Sequence, residues 1–455
     1  MNKIDCQFSA EEIIQMLKEA RARTLELVAD LSDEQMMAEK LDIINPPLWE
    51  IGHIAWFQEN WALRHLRKHQ PILVNGDELY DSAKVAHDTR WDLPLPSRQQ
   101  TLSYMQQVLD LVIEELSSHP NAEEIYFHLL PLFHEDMHAE ALTYTRQTMR
   151  YPTPLLTPSS SLPKNFLPTI PTNDQVTISN LGGPLPGDVE IPGGSLLLGA
   201  TTSQPFVFDN EKWGHWVDIA PFCIARAPVT NIEFAAFVDD QGYQYQSWWS
   251  EAGWVWRQRV DTQHPRYWHR ESNGRWFCWQ FDRLIPLPEH QPVIHISWFE
   301  AEAYCRWAGR RLPSEAEWEM AASTEPGFNR EDKSVMVEYK RNFPWGDTFP
   351  NWAMANLDWQ AMGCLDVGAL PASESAWGCR QMIGNVWEWT ASTFLPYPGF
   401  IIDPYKEYSA PWFGTQKVLR GGCWTTRARL IRNTWRNFYT PDRRDVFAGF
   451  RTCAT

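Results

Sequence analysis

The chain has 455 residues, 44% of them hydrophobic, with 25 Trp and a formal net charge of −17. That length accommodates two or three domains with full cores, and that charge argues against a nucleic-acid partner, whose phosphates it would repel. No apolar run approaches the ~20 residues that span a bilayer, so a membrane partner is not expected.

The opening MNKIDCQFSAEE lacks the apolar core of a signal peptide. Eight Cys stand at positions 6, 223, 278, 305, 364, 379, 423 and 453, none in a C-x-x-C pair. Their low density fits reduced thiols, and the expected location is cytoplasmic.

Four helices are predicted in the first third. The first begins at Ser9, where Ser9 and Glu12 form a capping box ahead of an apolar stripe through Met16, Ala20, Leu27 and Leu31. The second follows Asn45-Pro46-Pro47, read as a cap and a proline-set first turn, and runs through LWEIGHIAWFQENWALRHL. The third opens at Ser97 with Gln100 three residues on, and repeats through Leu102, Met105, Leu109 and Ile113. The fourth starts near Asn121 and carries IYFHLLPLFHEDMHAEALTYTRQTM. Residues 1–150 are thus expected to form an up-and-down four-helix bundle. The long link over 68–96 is read as a functional loop.

Residues 151–187 contain eight prolines and a run of three serines, which predicts an extended linker. Beyond it, 188–455 is rich in Gly, Trp and short β-type runs. GGSLLLG (193–199) reads as a strand, and SWFEAEAYCRWAGR (297–310) and PSEAEWEMAAS (313–323) read as helices. The fold class is α plus α+β, with a loop-heavy second domain.

His134 and His138 stand four apart on the fourth helix, so one metal can reach both imidazoles. His53, on the second helix, can face them across a bundle. His128 lies off that face. Each histidine has the alternative of being an ordinary packed or exposed residue. His134-Glu135-x-x-His138 also matches the zinc-protease motif, in which the Glu is a general base. The extended form of that motif requires Gly and His where Ala141 and Tyr144 stand.

WEIGHIAWFQENW, HEDMHAEAL, RLPSEAEWE, GNVWEWT, VLRGGCW and AGFRT, in that order, resemble the ergothioneine-biosynthetic sulfoxide synthases (EgtB type). The resemblance implies a DinB-like four-helix bundle joined to a formylglycine-generating-enzyme-like domain of C-type-lectin-like fold. It also implies iron(II) held by His53, His134 and His138. Dioxygen, hercynine (trimethylated histidine) and a chalcogen donor would be the substrates. A formylglycine-generating activity would need a close cysteine pair after the RGG motif, and residues 425–444 hold no Cys. A non-catalytic binding protein with a structural metal is the remaining alternative.

Departures from the family pattern bear on the donor. Where the family reads RNWD, this chain reads Arg436-Asn437-Phe438-Tyr439. By resemblance Asn437 and Phe438 contact hercynine, Phe438 offering an aromatic face to the trimethylammonium group. Tyr439 stands where a carboxylate would pair with the donor ammonium. Met137 replaces a Gln of the ligand helix, and Arg90, with His87 nearby, takes the place of arginines that grip donor carboxylates. HEDMHAE and RNFYTPDRRD are similar to the selenoneine synthase branch, whose donor is a selenosugar. The alternative donors are γ-glutamylcysteine and cysteine. A catalytic tyrosine is implied in a C-terminal loop, with Tyr397, Tyr405 and Tyr408 as candidates.

Overall fold

The computed structural model describes residues 8–157, 182–202, 204, 206–326 and 340–455. They form two compact units, one of residues 8–157 with Phe281–Arg283 and the other of the remaining described residues from 182 onward. Most of the expected linker, 158–181, lies outside the described residues. Its first part, 151–157, lies along the helical unit: Arg146 donates to the Pro152 carbonyl and Arg23 to that of Thr157.

Four long helices build the first unit: α1 (Ala10–Val28), α2 (Pro47–Gln58), α3 (Arg98–Glu115) and α4 (Ala122–Thr148). The capping boxes of α1 and α3 form as expected, from Ser9 and Glu12 and from Ser97 and Gln100, and α4 starts at Asn121 as expected, with a further capping box to Glu124. Each satisfies backbone N–H groups that a helix leaves open. Helix α1 packs on α4, and α2 packs on both α3 and α4.

The second helix departs from expectation twice. Asn45 is not its cap. Pro46 occupies that position without a side-chain hydrogen bond, and the Asn45 Oδ1 accepts from Arg90 at 2.6 Å instead. The α-helical spacing also stops at Gln58, and Glu59–His65 form a π-helix. Within it the Glu59 carboxylate accepts from the Tyr104 hydroxyl at 2.5 Å and the Ile72 amide at 3.0 Å. These partners are distant in sequence, and no Gly or Pro within the segment signals the wider turn.

The link over 68–96 is not structureless. It contains a short helix, Gly76–Tyr80, and a 3-10 turn, His87–Thr89. The Tyr80 ring is fully buried against α2 at Gly52, where an added Cβ would lie 2.4 Å from ring atoms.

The second unit is α+β. One four-stranded sheet orders Asp188–Ile191, Phe222–Ala225, Cys453–Ala454 and Arg310–Arg311. Another orders Asn437–Tyr439, Lys417–Arg420, Trp387–Thr393 and Ala448–Gly449. The expected strand forms over Gly194–Leu198, and the expected helices over Trp298–Trp307 and Glu315–Ser323. Buried ion pairs fix the loops between them. Arg451 grips Glu388 at 2.6 and 2.7 Å, and Arg436 grips Glu315 at 2.8 and 3.0 Å. Such charges are tolerated in a core because each is paired through two hydrogen bonds. In the RGG motif, Gly421 has φ +94° and comes within 2.4 Å, at its would-be Cβ, of the Met382 carbonyl. Only glycine fits there.

The Gly52 contact yields the first prediction. Gly52→Ala should lower the unfolding free energy by about 1–3 kcal/mol, as overpacking of a filled core does. Urea unfolding measures this, and an unchanged midpoint would mean that the Tyr80 ring yields without cost.

Candidate metal centre

His53 on α2 and His134 and His138 on α4 come together in the helical unit. One ring nitrogen from each lies within 4.8 Å of the others. Among the described residues no other group of three His, Cys, Asp or Glu side chains converges in this way. The Nε2 atoms of His134 and His138 are 3.2 Å apart. Two imidazole lone pairs at that distance require a proton or a cation between them.

The rings are set by their other nitrogens. The Nδ1–H of His53 donates to the Tyr80 carbonyl at 2.7 Å, which leaves Nε2 with the lone pair. Nδ1 of His138 meets Oε1 of Glu50 at 2.7 Å. The His134 ring stacks on Phe57 at 3.6 Å and that of His53 on Trp49 at 4.8 Å. Burial, followed by the proximity of His138, holds His53 and His134 well below the usual imidazole pKa. Both are therefore neutral at pH 7, the form that binds a metal. Chemically the set fits a divalent transition metal of the kind that imidazole suits, including iron.

Glu135, between the two α4 histidines in sequence, points elsewhere. Its carboxylate takes the guanidinium of Arg21 from α1 at 3.0 and 3.3 Å, and Arg21 also donates to Gln58 at 2.8 Å. With both side chains almost fully buried, this Glu is a structural ion-pair partner rather than the general base of a zinc protease. His128 is likewise apart, its Nδ1 bonded to the Glu124 carbonyl at 2.6 Å.

The other expected site residues divide between the units. In the helical unit Met137 is half-buried beside His138. Arg90 lies 3.9 Å above the Trp49 ring and donates to Asn45 and, at 3.3 Å, to the Val85 carbonyl. Burial pushes its pKa down to about 10, against the pull of Glu50. His87 is bonded through Nε2 to the Ile44 carbonyl at 2.6 Å and packs edge-on to Trp91.

In the second unit Asn437, Phe438 and Tyr439 are half-buried on one edge strand, paired with Leu419, Val418 and Lys417. Phe438 stacks on Phe394 at 4.1 Å and meets Tyr408 edge-on at 5.9 Å. Tyr405 lies 5.9 Å from Tyr408. Tyr397 is enclosed in the core, with Arg436 4.1 Å above its ring and its hydroxyl 3.4 Å from Glu315. Phe438, Tyr405 and Tyr408 thus form one aromatic group, and Arg436, which lies over both Phe394 and Tyr397, links Tyr397 to it.

Two residues that matter to the centre were not anticipated from sequence. Glu50 carried a signal, an acid between Trp49 and Ile51 on an otherwise apolar helix face. Tyr80 carried none, because it acts through its backbone carbonyl.

The helical unit matches the DinB superfamily over residues 16–144, and residues 175–455 match the sulfatase-modifying factor enzyme 1-like domain. A DinB-type bundle with a three-histidine cluster, joined to a domain of that second kind, defines the class of protein. The chain is 36% identical over 455 residues to a hercynine oxygenase of Mycolicibacterium thermoresistibile, covering 97% of this chain and 94% of that one. It is 37% identical to a hercynine oxygenase of Mycobacterium tuberculosis, covering 97% and 98%. A formylglycine-generating enzyme of Streptomyces coelicolor is 30% identical, but over 59% of this chain only. The chain belongs to the hercynine oxygenase family, oxidoreductases of the ergothioneine synthase type. Among the described residues no helix is long and apolar enough to cross a membrane.

Glu135→Gln tests the structural assignment of that residue. It should cost about 3–5 kcal/mol of stability, as expected when a buried pair loses one partner, with bound metal per chain unchanged in elemental analysis. Loss of the metal with unchanged stability would place Glu135 in the centre after all.

Proposed function

We propose that the chain is a non-haem iron(II), dioxygen-dependent enzyme that joins a chalcogen to the imidazole ring of hercynine, with His53, His134 and His138 as the iron ligands. The observation that carries this reading is the convergence of three imidazoles, His53 and His134 among them held well below the usual imidazole pKa, in a chain that aligns with hercynine oxygenases nearly end to end. Bound there, iron(II) supplies the redox chemistry toward dioxygen and open positions at which reactants meet. Three imidazoles add no negative charge, which leaves the metal able to attract an anionic chalcogenolate.

The protein's own part is placement and exclusion of water. Tyr80 holds the His53 tautomer, and Trp49 and Phe57 wall two ligand rings with apolar surface. Asn437 and Phe438 are assigned to hercynine, the Phe438 ring serving the trimethylammonium group. Tyr397, Tyr405 and Tyr408 are the candidates for the expected tyrosine proton source; burial raises the hydroxyl pKa of both Tyr397 and Tyr408, and Tyr408 lies beside Phe438. The net change is balanced with a thiol or selenol donor. The ring C–H and the chalcogen–H are lost, one dioxygen atom remains on the chalcogen, and the other leaves as water.

The donor assigned is a selenosugar, in the manner of the selenoneine synthases. Tyr439 offers a phenol where a carboxylate would hold an amino-acid ammonium. Arg90 commits two guanidinium nitrogens to Asn45 and Val85, which weakens its claim on a donor carboxylate. Met137 offers no hydrogen-bonding amide. The free thiols of the described residues, Cys223 and Cys278 partly buried and the others buried, fit a cytoplasmic enzyme.

Iron-loaded protein should consume oxygen only when hercynine is present, and no hercynine-dependent uptake would sink the enzyme reading. With selenosugar, γ-glutamylcysteine and cysteine offered together, mass spectrometry should find the selenosugar adduct dominant. Exclusive turnover of γ-glutamylcysteine or cysteine would make this an ergothioneine-type synthase. Tyr439→Asp should raise kcat/KM for amino-acid thiols by about tenfold or more, the range of one charge-assisted hydrogen bond. No change would show that Tyr439 does not face the donor.

A further inference from the structure

The three histidines are not equivalent, and the difference lies in what their second nitrogens meet. His53 donates to a neutral backbone carbonyl, and His138 to the carboxylate of Glu50, each at 2.7 Å. Glu50 is 1% exposed and stands one helical turn before His53 on α2. A single turn of α2 therefore supplies one histidine and the acceptor for another, which comes from α4. His138 is also the most exposed of the three, its side chain retaining 19% of its accessible surface. It has the most freedom to rotate, yet its Nε2 is held 3.2 Å from that of His134.

We propose that Glu50 is a positioning residue of the metal centre, fixing the His138 ring through Nδ1 and making that imidazole the strongest donor of the three. The proposal rests on the reading of the histidines as metal ligands. An ionised acceptor forms a hydrogen bond roughly twice as strong as a neutral one. By drawing the Nδ1 proton toward oxygen, it raises the basicity of Nε2. The second carboxylate oxygen, Oε2, is buried with no hydrogen-bond partner among the described residues, and so is Nε of Arg90. Arg90, stacked on the Trp49 ring that itself stacks on His53, is a cation that the charge of Glu50 favours. A carboxylate retained at such a site, with one oxygen given wholly to a histidine, has a use beyond filling space.

Cobalt(II) titration of the full chain tests this, with affinity read by chelator competition and geometry by visible absorption. Glu50→Gln keeps the shape and an acceptor oxygen but removes the charge. It should still bind one cobalt, 10–100-fold more weakly, the usual effect of losing such a partner, with shifted bands. In proton NMR of the cobalt protein, the exchangeable Nδ1–H resonance of His138 should move and that of His53 stay. Glu50→Asp, which withdraws the carboxylate by one methylene, is the second variant and should move the same resonance. Unchanged affinity, bands and resonances in both variants, with only thermal stability lowered, would overturn the proposal. If His53→Ala binds cobalt as the wild type does, the three-histidine reading itself fails and the proposal falls with it.

Discussion

The first constraint on this protein is that the Nδ1 sides of two imidazoles are already taken. His53 is bound to the Tyr80 carbonyl and His138 to the Glu50 carboxylate, which leaves Nε2 of each ring for the cluster, that of His138 lying 3.2 Å from His134 Nε2. Much of the helical unit follows from that requirement. Gly52 has no side chain because the Tyr80 ring must lie against α2 for its carbonyl to reach His53. The short helix Gly76–Tyr80 exists within a long loop because that carbonyl must be delivered from outside the four main helices. Trp49, one turn before His53, stacks on the ring it helps to hold and donates its own N–H to the Leu79 carbonyl at 2.7 Å. The loop is thereby tied to α2 at two successive residues.

The same helices show how a motif can mislead when its residues are separated by face. His134, Glu135 and His138 spell a zinc-protease signature, but Glu135 points along a different side of α4 from the histidines and is held by Arg21. The interaction with α1 gives that carboxylate a packing role, and the apolar rings of Trp49 and Phe57 surround the histidines instead. Histidines walled by apolar rings, with Glu135 committed to Arg21, suit redox chemistry at a metal better than hydrolysis by water that Glu135 would activate.

Local signals in the sequence were reliable wherever the structure is locally determined. The capping boxes at Ser9 and Ser97 marked two helix starts correctly, because cap and partner are three residues apart, and the fourth helix starts at Asn121 as expected. The helical spacing of His134 and His138 marked them as a pair for the same reason. What sequence could not show depends on partners far along the chain. Asn45 looked like a cap until Arg90, 45 residues later, claimed its oxygen. The π-helix after Gln58 is accompanied by bonds from Glu59 to Tyr104 and Ile72, and no pattern within the helix announces it. Glu50 was visible only as an acid out of place, and Tyr80 not at all. In the second unit, the strand that carries Asn437, Phe438 and Tyr439 is three residues long. Its place is set by pairing with Lys417–Leu419, and that register is a tertiary fact.

The central claim is that one metal is held by three imidazoles and keeps room for substrates. X-ray absorption spectroscopy of the iron(II)-loaded protein, with and without hercynine, tests it most directly. The account predicts three imidazole nitrogens at about 2 Å, near the usual metal–imidazole bond length, with light-atom ligands that change when hercynine is added. A shell with fewer imidazoles, or one that hercynine leaves untouched, would contradict it.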